Sequence, residues 1–206
     1  EYIYKFVSRD KIKQAGNGLT QAQANKDLLD HGVLHVARFD ANGKGQWIPM
    51  VHGQGPLTAA NGFADQGEVL IKSRQASDLL GATKMDRPEW CTVNPVNGEV
   101  YVTLTNNSNR GKDYATDAAN PRNYTDLYNG TKEQKGNVNG HIIRFKETDD
   151  KTTAETFKWD IYLFGAEASM ASNINLSGLT DNNDLSSPDG MWFDPRGVLW
   201  IQTDDG

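Results

Sequence analysis

The run Pro88-Glu89-Trp90-Cys91-Thr92-Val93-Asn94-Pro95-Val96-Asn97-Gly98-Glu99-Val100-Tyr101-Val102 returns 100 residues later as Pro188-Asp189-Gly190-Met191-Trp192-Phe193-Asp194-Pro195-Arg196-Gly197-Val198-Leu199-Trp200-Ile201. Each copy has a proline followed by a carboxylate, a short run ending on an apolar residue, an Asn/Asp-Pro step, a glycine turn and an apolar-aromatic strand. That is one hairpin design used twice. A second pair of hairpins interleaves with it: Gly32 to Phe39 followed by Trp47, and Gly140 to Phe145 followed by Phe157 to Leu163, with polar turns at Asp40 to Gly45 and Lys146 to Thr153. Two hairpin types alternating along a chain point to a repeating four-stranded sheet, the mark of a β-propeller, in which each blade leaves a face that only its neighbour buries. The competing architecture is an ordinary β-sandwich with chance likeness between hairpins. The expected fold is therefore all-β with two short helices, part of a β-propeller with four-stranded blades, and the whole 1–206 chain reads as one incomplete propeller segment.

The two helices fall between strands. Thr20 is expected to cap a helix from Gln21 to Asp30, and Asp65 with Glu68 forms a capping box for a helix ending before Gly81, with Val69, Leu70, Ala76, Leu79 and Leu80 largely on one face. From Thr105 to Gly140 the chain is rich in Asn, Asp, Gly and Lys and nearly without aliphatic residues, so it is expected to be a polar insertion loop at the end carrying Glu89. The net charge of −6 argues against nucleic-acid binding, which draws its affinity from Lys and Arg. A small phosphorylated substrate remains compatible if bound metal ions first neutralise the carboxylates. No run approaches the roughly 18 apolar residues of a membrane span. Glu1 has neither an initiator Met nor a signal pattern before it, and Asp204-Asp205-Gly206 directly follows a strand-like run, so both ends are expected to be cuts.

Candidate chemistry gathers at the repeated hairpins. Glu89 and Asp189 occupy matched positions after a proline, and carboxylates at the same end of successive blades would converge where a hard cation needs several oxygens. A solvated strand-start carboxylate is an equal reading of Glu89. Asp204 and Asp205 follow the second hairpin where Asn106 and Asn107 follow the first; all offer oxygen ligands, although the turn role is the commoner one for these residue types. Arg87 could clamp a phosphate with two donors or pair with its neighbours Asp86 and Glu89. The histidines show no metal-binding spacing; His35 and His141 read as core or face residues. Cys91, the sole cysteine, reads as a small core residue. Neither a Gly-x-Ser-x-Gly elbow nor a phosphate-binding P-loop is present.

The stretch Ala82 to Trp90, continuing through Asn94-Pro95 to Val100 and on to Asn107, resembles the signature of the PhoX alkaline phosphatases. Tyr4 to Ser8, Gly140-His141-Ile142 and Ser187-Pro188-Asp189-Gly190 carry the same resemblance. It implies a six-bladed propeller, exported to the periplasm or secreted, that hydrolyses phosphate monoesters with calcium and ferric iron. Within it Glu89 matches a carboxylate expected to bind the metal cluster, while the role of Asp189 is inferred from the repeat. The family's upstream Cys-Glu-Glu segment is missing here, and Cys91 does not inherit its role. The chain is accordingly expected to be an internal piece, inactive by itself. The alternative function is a non-catalytic propeller that binds calcium or a partner through its loops.

Overall fold

The computed structural model describes residues 1–128 and 130–204. It is mostly β with a few short helices. The chain divides into two compact units, one of Tyr4–Arg38 and Trp47–Ala82, the other of Glu1–Ile3, Phe39–Gln46 and the chain from Thr83 onward.

In the smaller unit β1 (Tyr4–Ser8) pairs antiparallel with β2 (Gly32–Phe39). Its helices are shorter than expected. Thr20 does cap α1 (Gln21–Ala24), in a full capping box with Gln23, but the helix stops at Ala24. The reason is local: Asn25 Nδ2 donates to the carbonyls of Gln21 and Lys13, a side-chain competitor for the helical ladder, and α1 buries no residue that would repay its extension. The second expected helix is broken into α2 (Gln66–Ile71) and α3 (Ser73–Leu79) at Lys72, whose backbone leaves helical geometry while its Nζ donates to Gly62 O at 2.9 Å. Asp65 accepts from Glu68 N as predicted, but Glu68 reaches back to Ala64 N rather than to the cap residue. The break resets the angular phase, so Val69 and Ala76 are buried while Leu70 and Leu79 are exposed.

In the larger unit β4 (Pro88–Val93), β5 (Val100–Leu104), β8 (His141–Glu147) and β9 (Thr156–Phe164) form an antiparallel meander. Strand β9 continues into β3 (Lys44–Pro49) through Lys44, Gly45 and Gln46, so this sheet does not end at four strands. The repeated hairpin forms a sheet of its own from β10 (Pro188–Phe193) and β11 (Leu199–Thr203). The two copies share detail below the level of the sequence pattern. Each has a register shift just after its proline, between Pro88 and Cys91 and between Pro188 and Met191. Each turn is held by an Asx side chain, with Asn94 Oδ1 accepting from Val96 N and Asp194 Oδ1 from Arg196 N, both at 2.9 Å.

Tyr101 and Ile142 of the meander pack with Met191 and Phe193 of the second hairpin, joined by Leu163, Leu199 and Ile201. Each such side chain removed from water stabilises the fold by about 1.5–3 kcal/mol. This apolar layer fixes the two hairpins against one another, and with them their proline ends.

The segment from Thr105 to Gly140 is not the structureless loop expected. Its second half is a hairpin, β6 (Tyr124–Tyr128) with β7 (Lys132–Gly136), and the Asn107–Asn137 bridge ties its base to the end of β5. Polar composition concealed these strands because the register is set by backbone pairing and buried amides rather than by an apolar face. Gly136 at φ +96° and Gly140 at φ +65° allow the close approach: a Cβ there would lie 2.1 Å from Asn107 O and 2.0 Å from Thr105 O.

Candidate functional site

The proline that opens each repeated hairpin is preceded by a residue in the left-handed region, Arg87 at φ +51° and Ser187 at φ +50°. Neither is glycine, and such a conformation costs on the order of 1–3 kcal/mol unless its surroundings enforce it. Matched backbone bonds do so: Thr105 N donates to Arg87 O at 3.1 Å and Asp204 N to Ser187 O at 2.9 Å. These bonds correct one equivalence. Asp204 corresponds to Thr105, not to Asn106, because the first turn closes from Asn94 to Glu99 and the second from Asp194 to Val198, one residue sooner. Asp205, the match for Asn106, lies outside the described residues.

Strand β5 stitches the two starts together. Thr103 Oγ1 accepts from Trp90 N at 2.9 Å and donates to Asp189 O at 2.8 Å, while Thr105 Oγ1 donates to Pro188 O at 3.0 Å. The segments bearing Glu89 and Asp189 therefore lie side by side at one end, on separate sheets. Asn106 completes the bridge, its Oδ1 accepting from Arg87 Nη1 at 2.8 Å and its Nδ2 donating to Ser187 Oγ at 3.1 Å. Arg87 pairs with Glu89 at 3.5 Å and not with Asp86; both side chains are partly open to solvent, at 45% and 37% exposure. An exposed pair of this kind contributes about 0–1 kcal/mol, so a phosphate can displace the carboxylate from the guanidinium at little cost. Asp189 is half-buried and Asp204 exposed. Among the described residues no three His, Cys, Asp or Glu side chains come together as a metal-holding group. Glu89 and Asp189 are hard oxygen donors suited to calcium and ferric ions, but by themselves they form a partial set.

Behind Arg87 lies a buried polar network that sequence reasoning missed. Asp86, fully buried, accepts from Arg110 Nε and Asn107 Nδ2 at 2.8 Å and from Asn137 Nδ2 at 3.0 Å, while its own N–H donates to Asn120 Oδ1. Arg110 spends its remaining donors on the carbonyls of Lys84 and Ala115 and on Asp117. Asn137 passes the network on, accepting from Arg122 Nη2 and donating to His141 Nδ1 at 2.9 Å. Arg122 also donates to the carbonyls of Gly140, Gly165 and Ile174, and its plane lies over the rings of Tyr124 and Phe164. Ser187 could have been found in the sequence as the counterpart of Arg87. The other members had no signal, since a polar residue carries no periodicity that marks it as buried.

His141 is the core residue expected. Its Nε2–H donates to Ala119 O at 2.7 Å, leaving Nδ1 to accept, and burial lowers its pKa to about 3. The sign follows from linkage: below about 6.5 the unfolded chain takes up a proton that the native imidazole refuses, so stability falls as pH drops. The expected slope is roughly 1.4 kcal/mol per pH unit between about 6.5 and about 3, to be read from urea unfolding at stepped pH, and His141→Gln should flatten it. A slope unaltered in that variant would assign the acid sensitivity elsewhere.

The remaining candidates lie apart from this site or take other roles. Cys91 is exposed rather than a core residue, as are its neighbours Glu89 and Trp90, so this part of β4 is open on both faces. His35 is half-buried in β2, its Nδ1 against Val33 O, His31 approaches Asp10 at 3.6 Å, and His52 Nε2 donates to Phe63 O at 2.9 Å.

No curated protein matches the chain. A solved structure, Pseudomonas fluorescens PhoX in complex with vanadate, a transition state analogue, matches with a TM-score of 0.85 at 44% identity, over 100% of this chain and 35% of that one. The chain thus spans about a third of its solved relative's length. The family model for alkaline phosphatase PhoX matches residues 1–206, the span that contains both proline-carboxylate hairpins and the buried network between them, and the chain belongs to that family.

Proposed function

We propose that the protein carrying this chain hydrolyses phosphate monoesters in a metal-dependent reaction, with Arg87 binding the phosphoryl group and Glu89 and Asp189 contributing oxygen ligands to the metal site. The observation that carries this reading is the bridge Arg87–Asn106–Ser187, which joins two strained, matched strand starts beside two carboxylates. The relative's capture of vanadate fits a site built for a five-coordinate phosphoryl group. Arg87 would donate to two phosphoryl oxygens as their charge grows, oriented by Asn106 and neutralised at rest by Glu89. Asn106 and Asp204 are the further oxygen donors, Asn106 through the second lone pair of the carbonyl that accepts from Arg87. Calcium and ferric ions, when bound, would supply Lewis-acid polarisation and charge neutralisation. The same reading takes β4, β5, β8 and β9 as one blade of a six-bladed propeller, β10 and β11 as the beginning of the next, and the protein as exported to the periplasm or beyond.

The test is p-nitrophenyl phosphate hydrolysis by the full-length protein before and after chelation. Turnover should vanish with the metals and return with calcium and iron. Glu89→Gln should lower metal content and reduce turnover by about 10–100-fold, the usual penalty of disturbing a metal's surroundings. Metal binding without turnover in the wild type would instead favour a non-catalytic propeller.

A further inference from the structure

A groove of about 500 Å³ is lined by Asn106, whose amide oxygen accepts from Arg87, by Ser108 and Lys112 of the turn after it, and by β7 and the residues that follow it. Lys112, Lys132 and Lys135 line it against a single acidic residue, Glu133, and Asn137 is among the polar groups beside them. The excess of positive charge is local, in a chain whose net charge is −6. Lys135 pairs with Glu133 at 3.3 Å, Lys112 only reaches Asp113 at 4.0 Å, and Lys132 makes no ion pair among the described residues. The lining is amide, hydroxyl and ammonium with Val138 as its one apolar side chain, so it offers hydrogen bonds and charge rather than an apolar surface for a hydrocarbon.

We infer that this groove is a subsite for the leaving-group portion of the substrate, and that it selects leaving groups carrying a second phosphate. The inference rests on the phosphatase reading, because it takes Arg87 as the place of the reacting phosphoryl. With that group at Arg87, a substituent extending past Asn106 enters the lysine-lined groove. Each partly exposed ammonium-phosphate contact contributes little, but three lysines lining one groove add to the positive potential that a dianion meets there. They touch a part of the substrate that does not react, so the benefit falls on binding and appears in KM rather than in kcat.

Fructose 6-phosphate and fructose 1,6-bisphosphate, which differ in the second phosphate alone, are the probes, assayed on the full-length protein and on its Lys112→Ala, Lys132→Ala, Lys135→Ala triple variant. The wild type should prefer the bisphosphate, and the variant should lose about five- to tenfold in kcat/KM for it, mainly through KM, while staying within about twofold on the monophosphate. Raising ionic strength from about 0.01 M to about 0.15 M, which shortens the screening length from about 30 Å to about 8 Å, should erode the wild-type preference and leave the variant unaffected. Equal losses on both substrates, or no change in the preference, would overturn the subsite while leaving the phosphatase reading intact. A wild type inactive on both fructose phosphates but active on p-nitrophenyl phosphate would overturn the subsite alone, and one inactive on all three would overturn the phosphatase reading with it.

Discussion

Asp86→Ala is expected to destabilise the protein by about 3–5 kcal/mol, because it takes from the fully buried Arg110 guanidinium the nearer and buried one of its two carboxylates, leaving only the partly exposed Asp117 at 3.4 Å. Three donors would be orphaned together, from Arg110, Asn107 and Asn137, and the last also holds His141 and Arg122. Urea unfolding followed by circular dichroism should show the midpoint falling in proportion. The usual remedy for a buried ion pair, replacing both partners with apolar residues, is not expected to work here. It would remove the Asp86–Arg110 charge problem but still leave one N–H each of the Asn107 and Asn137 amides, and the Ala115 carbonyl, without a partner. A stable Asp86→Leu, Arg110→Met variant would show that water reaches these groups and that the network is not needed for stability.

The second large effect concerns Arg87. In the full-length protein, Arg87→Ala should lower kcat/KM for phosphate monoesters by about 10²–10³-fold, the scale seen when one donor to developing charge is removed. Arg87→Lys should recover little of this, since a lysine ammonium lacks the planar two-donor fork and cannot keep both Asn106 and a phosphoryl oxygen. Arg87→Gly separates chemistry from folding. At φ +51° glycine relieves the backbone, so this variant should be as stable as the wild type or about 1 kcal/mol more stable while being equally inactive. Such a pattern identifies a strained residue retained for function. An Arg87→Gly enzyme that kept its activity would remove the guanidinium from the proposed mechanism.

The strained backbone connects the two predictions. Arg87 follows Asp86, so one peptide joins the buried network to the exposed guanidinium, and the bonds to Asp86 on one side and from Thr105 N on the other over-determine the conformation between them. Ser187 meets the same conditions with Asn139 O accepting from its N–H and Asp204 N donating to its carbonyl. A long polar insertion is thereby put to structural use, since Asn106, Asn107, Arg110, Asn120, Arg122, Asn137 and Asn139 all come from it.

The parts of this protein that depend on near neighbours were legible in the chain. Period-two runs bounded by Gly, Pro and Asn placed β4, β5, β8, β9, β10 and β11, and Thr20 and Asp65 marked helix starts through side chains acting three residues away. The hundred-residue repeat correctly set Glu89 and Asp189 at one end, because a matched pattern of proline, register shift and Asx turn reproduces a matched backbone. Where the polar residues went depends on contacts between distant parts of the fold. Asp86 meets Arg110 across 24 positions and Asn137 across 51, and Thr103 meets Asp189 across 86. A buried polar group is tolerated only when its partners are supplied, and those partners come from whatever strands the fold brings alongside. For the same reason the β6–β7 hairpin read as loop: its strands are held by backbone pairing and by the amides and guanidinium at its base, and neither leaves a periodic trace in the chain.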